Sequence, residues 1–503
     1  MLGTIRTLFW TACALVCVGN AVPAAAAIPA TERGALIDFF NATNGPGWLN
    51  KTSWCTNECP PAGTFGLPGT ECKWYGVTCD EGEDHVVGLG LPANNLDGPL
   101  PPSFGNLPSL AYLDVSNNKV TGVLPAFGNF AQLTHFDVGN NSLFGAMPQS
   151  LDNVPNLVHF DIHRNSLWGK IPPLGNLTKL AHFNAHSAGL DGIIPPLSNL
   201  KNLTFFDVGG NSQLTGSIPS LTGLANLAIF NVSYTQLTGA IPSLTGLTNL
   251  TSFNVPFNNL NGTLPVLTGL TNLTYFDVSH NHVTGQIPEL IGLTKLTGFE
   301  AGFNDLTGPI PILSGLTSLS DFTMNNNELV GPIPELGGLT QLVSFYVNSN
   351  HLSGSIPSLT GLSTLAYFNV SDNQLSGTIP DLSDVGAKLV EFSVYSNHLT
   401  GEIPSIVGWT NIVSFDVSGN QLSGSISSLA DAQSLEKFNV DTNLLTGTVP
   451  SPPPSLKVAS LCPNLLDLTP SAADAAWNAA TGVSPWWGKD GSACDILFRG
   501  NFE

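Results

Sequence analysis

The sequence predicts an α/β solenoid. About sixteen units of 23–24 residues stack into a curved body, with a parallel sheet on its concave face and disulfide-stapled caps at both ends. Three observations carry that expectation. One motif returns at fixed spacing through most of the chain. Each copy holds a short apolar–polar alternation, the mark of a half-buried strand. All the cysteines lie outside the repeated middle. At ordinary domain size 503 residues would suggest about three domains, but a repeat overrides that count. The expected organisation is a signal peptide over 1–27 and an N-terminal cap over 28–85. The solenoid follows over 86–455, then a degenerate last repeat with a C-terminal cap over 456–503.

Composition narrows the function. Acidic residues number 36 against 15 basic, a formal net charge of −21. Such a surface repels nucleic acid and anionic membranes. Apolar residues make up 42%, enough to bury a core.

The first element is a secretory leader. Arg6 is its early charge, Leu8 to Val18 are largely apolar, and Ala24 to Ala27 offer small residues for cleavage. The run is too short to span a bilayer comfortably. Loss of Cys13 and Cys17 with the leader would leave six cysteines: Cys55, Cys59, Cys72, Cys79, Cys462 and Cys494. An even number in a secreted chain reads as disulfides, and six allow fifteen connectivities. Proximity favours Cys72–Cys79, Cys462–Cys494 and Cys55–Cys59, and the spacing fits a zinc site poorly. A cap helix is expected from Thr31, as its N-cap, to about Asn41, with Leu36, Ile37, Phe39 and Phe40 over the first strand.

In the repeat, Leu133-x-x-Phe136-x-Val138-x-x-Asn141-x-Leu143-x-Gly145-x-Met147-Pro148 returns as Leu273, Phe276, Val278, Asn281, Val283, Gly285, Ile287 and Pro288. Its first position falls at 86, 110, 133 and so on to 435, and a seventeenth degenerate copy runs from Leu456. This is the leucine-rich-repeat pattern. The Phe-x-Val segment is too short to stand alone, so it must pair with its copies as a parallel sheet. Phe fills the inward position in fourteen successive units, from Phe136 to Phe438, as an internal spine. Asn ends the strand in fourteen of sixteen units; its amide can serve backbone groups of adjacent turns. Ala188 and Thr235 break the pattern, and weakness is expected there. Gly-x-Ile-Pro forms an edge or turn, since proline cannot donate in a central ladder. Gly-Leu-Thr-x-Leu returns along the outer face. At the far end, Pro452-Pro453-Pro454 breaks the repeat. A helix from Thr469-Pro470-Ser471 through Ala480 stops at Gly482, and Trp477, Trp486 and Trp487 seal the last unit. Sugar stacking is the rival role for those tryptophans.

Leu-x-Gly-x-Ile-Pro after the Asn resembles the plant-specific class of extracellular leucine-rich repeats, which includes polygalacturonase-inhibiting proteins and receptor-kinase ectodomains. The cap supports this through Glu32 to Phe40, Trp48, Trp54 and Cys72-Lys73-Trp74-Tyr75-Gly76-Val77-Thr78-Cys79. Asn41-Ala42-Thr43-Asn44-Gly45 followed by Trp48 also resembles secreted microbial members. The chain departs from the plant pattern in favouring 23-residue units, with forms such as Leu244-Thr245-Gly246-Leu247. The resemblance implies a secreted binding protein that recognises a cell-wall-degrading enzyme or a peptide ligand.

Outward strand positions align into columns. The column before Phe reads Tyr112, His135, His159, His182, Phe205, Ile229, Ser252, Tyr275. The column after it is acidic: Asp114, Asp137, Asp161, Asn184, Asp207, then Asp277, Glu300 and Asp416, with Tyr346 in the same register. Further along stand His163, His186 and Tyr395, then Arg164, Tyr234, Phe257, His280 and Phe303. Exposed aromatics in rows do not help the core and mark interaction surfaces. His135, His159 and His182 are near enough across strands to share an ion, as are His163 and His186. A row of solvated histidines explains them more simply, so no metal or cofactor is expected. No Gly-x-Ser-x-Gly elbow, His-Glu-x-x-His or Walker loop occurs, so a non-catalytic chain is expected. The expected protein is a secreted monomer that binds a basic extracellular protein or peptide on its concave face. The alternative is an adhesin for a cell-wall polysaccharide or a cell surface.

Overall fold

The computed structural model describes residues 28–487. Its main sheet starts with the strand Val77–Cys79, antiparallel to Val86–Gly90. From there every unit adds one parallel strand, ending at Val458–Ser460. Each strand pairs with those of the units before and after it, so the ladder is open at both ends. The pairing is in register: Phe253, Phe276 and Phe299 lie side by side. The inward Phe rings form the expected spine, fully buried, with centroids 5.5 Å apart at Phe230–Phe253 and 5.2 Å at Phe276–Phe299.

Curvature follows from ring spacing. Rings on the outward side of the same strands sit closer together, 4.2 Å at His135–His159 and His159–His182. The Phe rings behind them, Phe136–Phe160 and Phe160–Phe183, are both 5.5 Å apart. Spacing that shrinks across the sheet makes the outward side the concave one.

The Asn ladder does what its chemistry allows. Asn281 donates Nδ2 to the carbonyls of Val278 in its own unit and Val255 in the unit before, while its Oδ1 accepts from Leu260 N–H. At Thr235 the single hydroxyl proton is offered to Val232 O and Asn258 Oδ1, both within hydrogen-bond reach, in place of the two amide donors of Asn. At Ala188 no side chain can fill the role, and Asn211 Oδ1 accepts from both Ala188 N–H and Leu190 N–H.

The Leu-x-Gly segment, which leads into the Gly-x-Ile-Pro expected at an edge or turn, forms a second parallel ladder. It is seven-stranded from Thr284–Gln286 to Gln421–Ser423, with two-stranded pieces elsewhere. Gly285 and Gly308 there have φ of 78° and 76°, which only glycine adopts without strain. Helix, by contrast, is confined to the caps among the described residues apart from short 3-10 turns.

The first cap helix, α1, spans Ala30–Ala42. Thr31 lies inside it; the N-cap is Pro29, without a side-chain cap. Leu36, Phe39 and Phe40 are buried, and Ile37 is partly so. Phe40 packs on Trp48 and Trp54, and Phe39 reaches Phe104 of the first unit. Glu32 of α1 accepts from His85 Nδ1 and from Val86 N–H, both at 2.7 Å, and so ties the helix to the first parallel strand. Cys55–Cys59 and Cys72–Cys79 are bonded as proximity suggests. Cys462 is disulfide-bonded, and its expected partner Cys494 lies outside the described residues, as does the leader. The last helix, α2, spans Asp474–Thr481 and starts later than Thr469, because Asp474 takes Ser471 N–H and Oγ as its entry turn. Gly482 ends it in the left-handed region. Trp477 and Trp486 are buried, with Trp477 against Phe438, so their faces are taken up by the cap. No helix among the described residues is long and apolar enough to cross a membrane.

Candidate functional site

Strand parity turns the residues on either side of each Phe to the concave face, and register places equivalents next to one another. Two rows of stacked rings result. The first runs Tyr112–His135–His159–His182–Phe205, with successive centroids 4.2 to 4.4 Å apart and planes within 13°. The second runs Tyr234–Phe257–His280–Phe303, with centroids 4.1 to 4.4 Å apart and planes at 12°. Tyr275 stands apart from the first row, because Ile229 and Ser252 interrupt the column. Its ring lies over Gly298, where a Cβ would come within 2.7 Å.

The second row occupies a costly backbone position. The residue before the ladder Asn is left-handed in unit after unit: Asn117, Asn140, Arg164, Ser187, Asn326 and Ser349 all have φ near 50°. Asn and Gly tolerate that conformation best, and other residues cost about 1–2 kcal/mol. Tyr234, Phe257, His280 and Phe303 sit there with φ of 53° to 56°. Tyr234 is 56% exposed and Phe303 44%. Four bulky rings in a strained, wet position contribute nothing that Asn or Ser does not supply to the other units. Residues of this kind concentrate at functional sites.

The acidic column is less of a binding surface than its sequence position suggests. Asp137, Asp161, Asp207, Asp277 and Asp416 each accept the backbone N–H two residues on, which closes the turn after the strand. Asn184 and Asn231 do the same through their amide oxygens. Asp161, Asp277 and Asp416 are buried in consequence. Burial pushes the Asp137 carboxyl up to about 6, and Asp277 and Glu300 are raised for the same reason. Asp161 behaves oppositely and is held at about 2: burial alone would raise it, but the nearby His182 imidazole and the hydrogen bonds from His163 outweigh that effect.

His163 and His186 are not brought to a common ion. His163 Nδ1 meets Asp161 at 2.6 Å, and His186 Nδ1 meets Asp207 at 3.1 Å. Arg164 stands beside them in the left-handed turn. Tyr346 donates to Glu391 at 3.3 Å, and Tyr275 to Glu300 at 2.9 Å; burial raises both hydroxyls. Tyr395 is also raised, by burial first and Asp372 second. Two triads bring ligand atoms within 4.8 Å of one another: His135 with Asp137 and His159, and His159 with Asp161 and His182.

Titration separates these histidines. Burial and the neighbouring imidazoles hold His159 down at about 4, whereas the Asp207 hydrogen bond raises His186 above 6.5. The stability that His159 contributes is present above 6.5 and lost as pH falls through about 4. The His186 contribution has the opposite sign, full below 6.5 and lost as pH rises through its folded value. Ring-proton NMR titration should find His159 midpoints near 4 and His186 above 6.5. Asp207→Asn should bring His186 back toward a free imidazole and leave His159 in place.

Sequence reasoning overlooked four exposed apolar residues away from the concave face. Phe144 and Trp168 occupy the x of Leu-x-Gly on the second ladder and are exposed, as are Val123 and Ile193 beside it. Most other units carry Thr or Ser there, and that contrast was readable once the ladder was known.

A stacked parallel ladder, an Asn rung in nearly every unit, Leu-x-Gly-x-Ile-Pro and the tryptophan-rich cap are features that this chain shares with plant-type extracellular leucine-rich-repeat proteins. The family model described as Leucine Rich Repeat matches residues 272–293. Among curated relatives, the Arabidopsis thaliana LRR receptor-like serine/threonine-protein kinase FEI 2 is 47% identical over 47 residues, 9% of this chain and 8% of that protein. The chain thus spans a small part of such relatives. Two solved structures align over most of the chain. The Arabidopsis receptor kinase HAESA, in complex with the peptide hormone IDA and the co-receptor SERK1, gives a TM-score of 0.56 at 29% identity, covering 79% of this chain and 85% of that one. The plant peptide hormone receptor RGFR1, in complex with RGF2, gives 0.53 at 27% identity, covering 78% and 80%.

Proposed function

We propose that this chain is a non-catalytic, secreted recognition protein that holds a basic peptide or protein segment along its concave face. The observation that carries the reading is the pair of aromatic rows, above all the four rings that occupy left-handed backbone. Stacked rings turn their edges outward and cover one another's faces. Flat sugar rings stack on faces, which are free only at the row ends. A peptide lying along the solenoid could place side chains against the whole edge. The half-buried carboxylates Asp137 and Glu300, raised by desolvation, favour a cationic neighbour. The peptide hormone bound by HAESA supports the peptide reading by likeness.

The test is binding to immobilised basic, neutral and acidic peptide libraries beside a glycan array, in metal-free buffer. Basic peptides should be enriched. Tyr234→Ala with Phe257→Ala should weaken their capture by about 10-fold or more, since central aromatic anchors are typical hot spots. Glycan hits without peptide hits would replace this reading with the carbohydrate one. Peptide capture indifferent to the two substitutions would move the site off the second row.

A further inference from the structure

We infer that His159, Asp161 and His182 form a binding site for a borderline transition-metal dication such as Zn(II), Co(II) or Ni(II). The inference goes beyond peptide recognition and does not depend on it, and it revises the expectation that the chain holds no metal. Three observations carry it. The ligand atoms of the three residues lie within 4.8 Å of one another. The Nε2 atoms of His159 and His182 are both buried and have no hydrogen-bond partner in the protein. His182 Nε2 faces Asp161 Oδ2 at 3.7 Å, too long for a hydrogen bond but suited to an ion between them. Buried imidazole nitrogens with no partner carry a desolvation cost that a bound cation would remove.

The carboxylate is also prepared from behind. Asp161 Oδ1 accepts His163 Nδ1 at 2.6 Å and His163 N–H at 2.9 Å, while Oδ2 accepts Asn184 Nδ2 at 2.8 Å. Outer partners of this kind fix the orientation of metal ligands. The neighbouring triad of His135, Asp137 and His159 lacks them: Asp137 takes only the backbone N–H of Gly139. The shared His159 then serves the better-supported carboxylate. Two imidazoles and one carboxylate select borderline metals over calcium or magnesium, which take oxygen donors.

Ring geometry sets a condition. His159 and His182 are stacked at 4.2 Å with planes 10° apart. A tetrahedral ion bound at about 2.1 Å needs its nitrogens roughly 3.4 Å apart and close to each ring plane. The two imidazoles must therefore splay toward the ion, and metal uptake should open the first ring row at that step.

Zinc titration of the full mature chain by calorimetry tests the site, with Co(II) absorption as the spectroscopic readout. One ion per chain is expected. His159→Phe and His182→Phe keep a ring in the row, as Phe205 does in the native column, and remove the nitrogen. Each should weaken Zn(II) binding by at least about 10-fold, and His163→Ala should weaken it by about 10-fold through loss of the outer contact. His351→Ala, at an exposed histidine paired with Glu328, should change nothing. Near-UV circular dichroism confirms that each variant is folded. Absence of Zn(II) uptake by the native chain at millimolar metal would overturn the site. So would native-strength binding in both folded Phe variants.

Discussion

Phe276→Ala is expected to destabilise the solenoid by about 4 kcal/mol, the range found when a fully buried Phe is truncated. Phe276 is fully buried between Phe253, 5.6 Å away, and Phe299, 5.2 Å away. A compact core can relax partly into a cavity from several sides. Here the neighbours along the stack are held in register by their own strands, so collapse would break two ladders at once. Stability in a solenoid is nearly a sum of unit and interface terms. The loss should therefore appear as a weakened junction between the ninth unit and its two neighbours, with distant units less affected. Chemical denaturation with hydrogen exchange would locate it. Exchange should accelerate at Phe253, Phe276 and Phe299 before it does near Phe438. Tyr234→Ala, outside the core, should stay within about 0.5 kcal/mol. A Phe276→Ala protein as stable as the native chain would mean that the spine is decoration and that the Leu positions hold the stack alone.

That contrast between spine and concave rows also marks how far the sequence could be read. Phe136 and His135 are adjacent, and strand parity alone sends one inside and the other out, as found. The stacked rows follow from register, because a parallel ladder of equal units leaves each ring no other neighbour. The fate of the carboxylates did not follow. Asp161 stands in an outward column, yet it is buried, because the next turn folds His163 back over it and the adjacent strand brings Asn184. A column read one strand at a time does not see what the following turn and the next unit lay on top. The second ladder was hidden for a different reason. Its strands are Leu-x-Gly segments with glycine at positive φ, so they lack the alternation that announces a strand. Thr31 failed as a cap through position alone: the N-cap is Pro29, two residues earlier, a proline that supplies the entry geometry.

Asn281→Ala should cost about 3 kcal/mol, and the reason lies in which partner is left alone. Asn281 is buried and donates Nδ2 to Val255 O, Val278 O and Ser279 O while accepting Leu260 N–H. The carbonyls are insured. Val278 O also receives Nδ2 of Asn304, and Val255 O receives that of Asn258. Loss of the Asn281 amide takes from each one bond of two. Leu260 N–H has no second acceptor of that kind and is stranded in the interior, where an orphaned donor costs about 1–3 kcal/mol. The weakened carbonyls and the side-chain void account for the remainder. Asn281→Asp separates the two roles, because a carboxylate can still accept from Leu260 N–H but cannot donate to the carbonyls. At neutral pH it should be the worse variant, since a buried charge would face carbonyl oxygens at about 3 Å. Acidification should narrow the gap, because the introduced carboxyl, once protonated, can donate one hydrogen bond. Thermal melts of both variants between pH 4 and 7 would decide it. Equal stability of Asn281→Asp and Asn281→Ala at pH 7 would show that the buried charge costs no more than the retained Leu260 N–H bond returns.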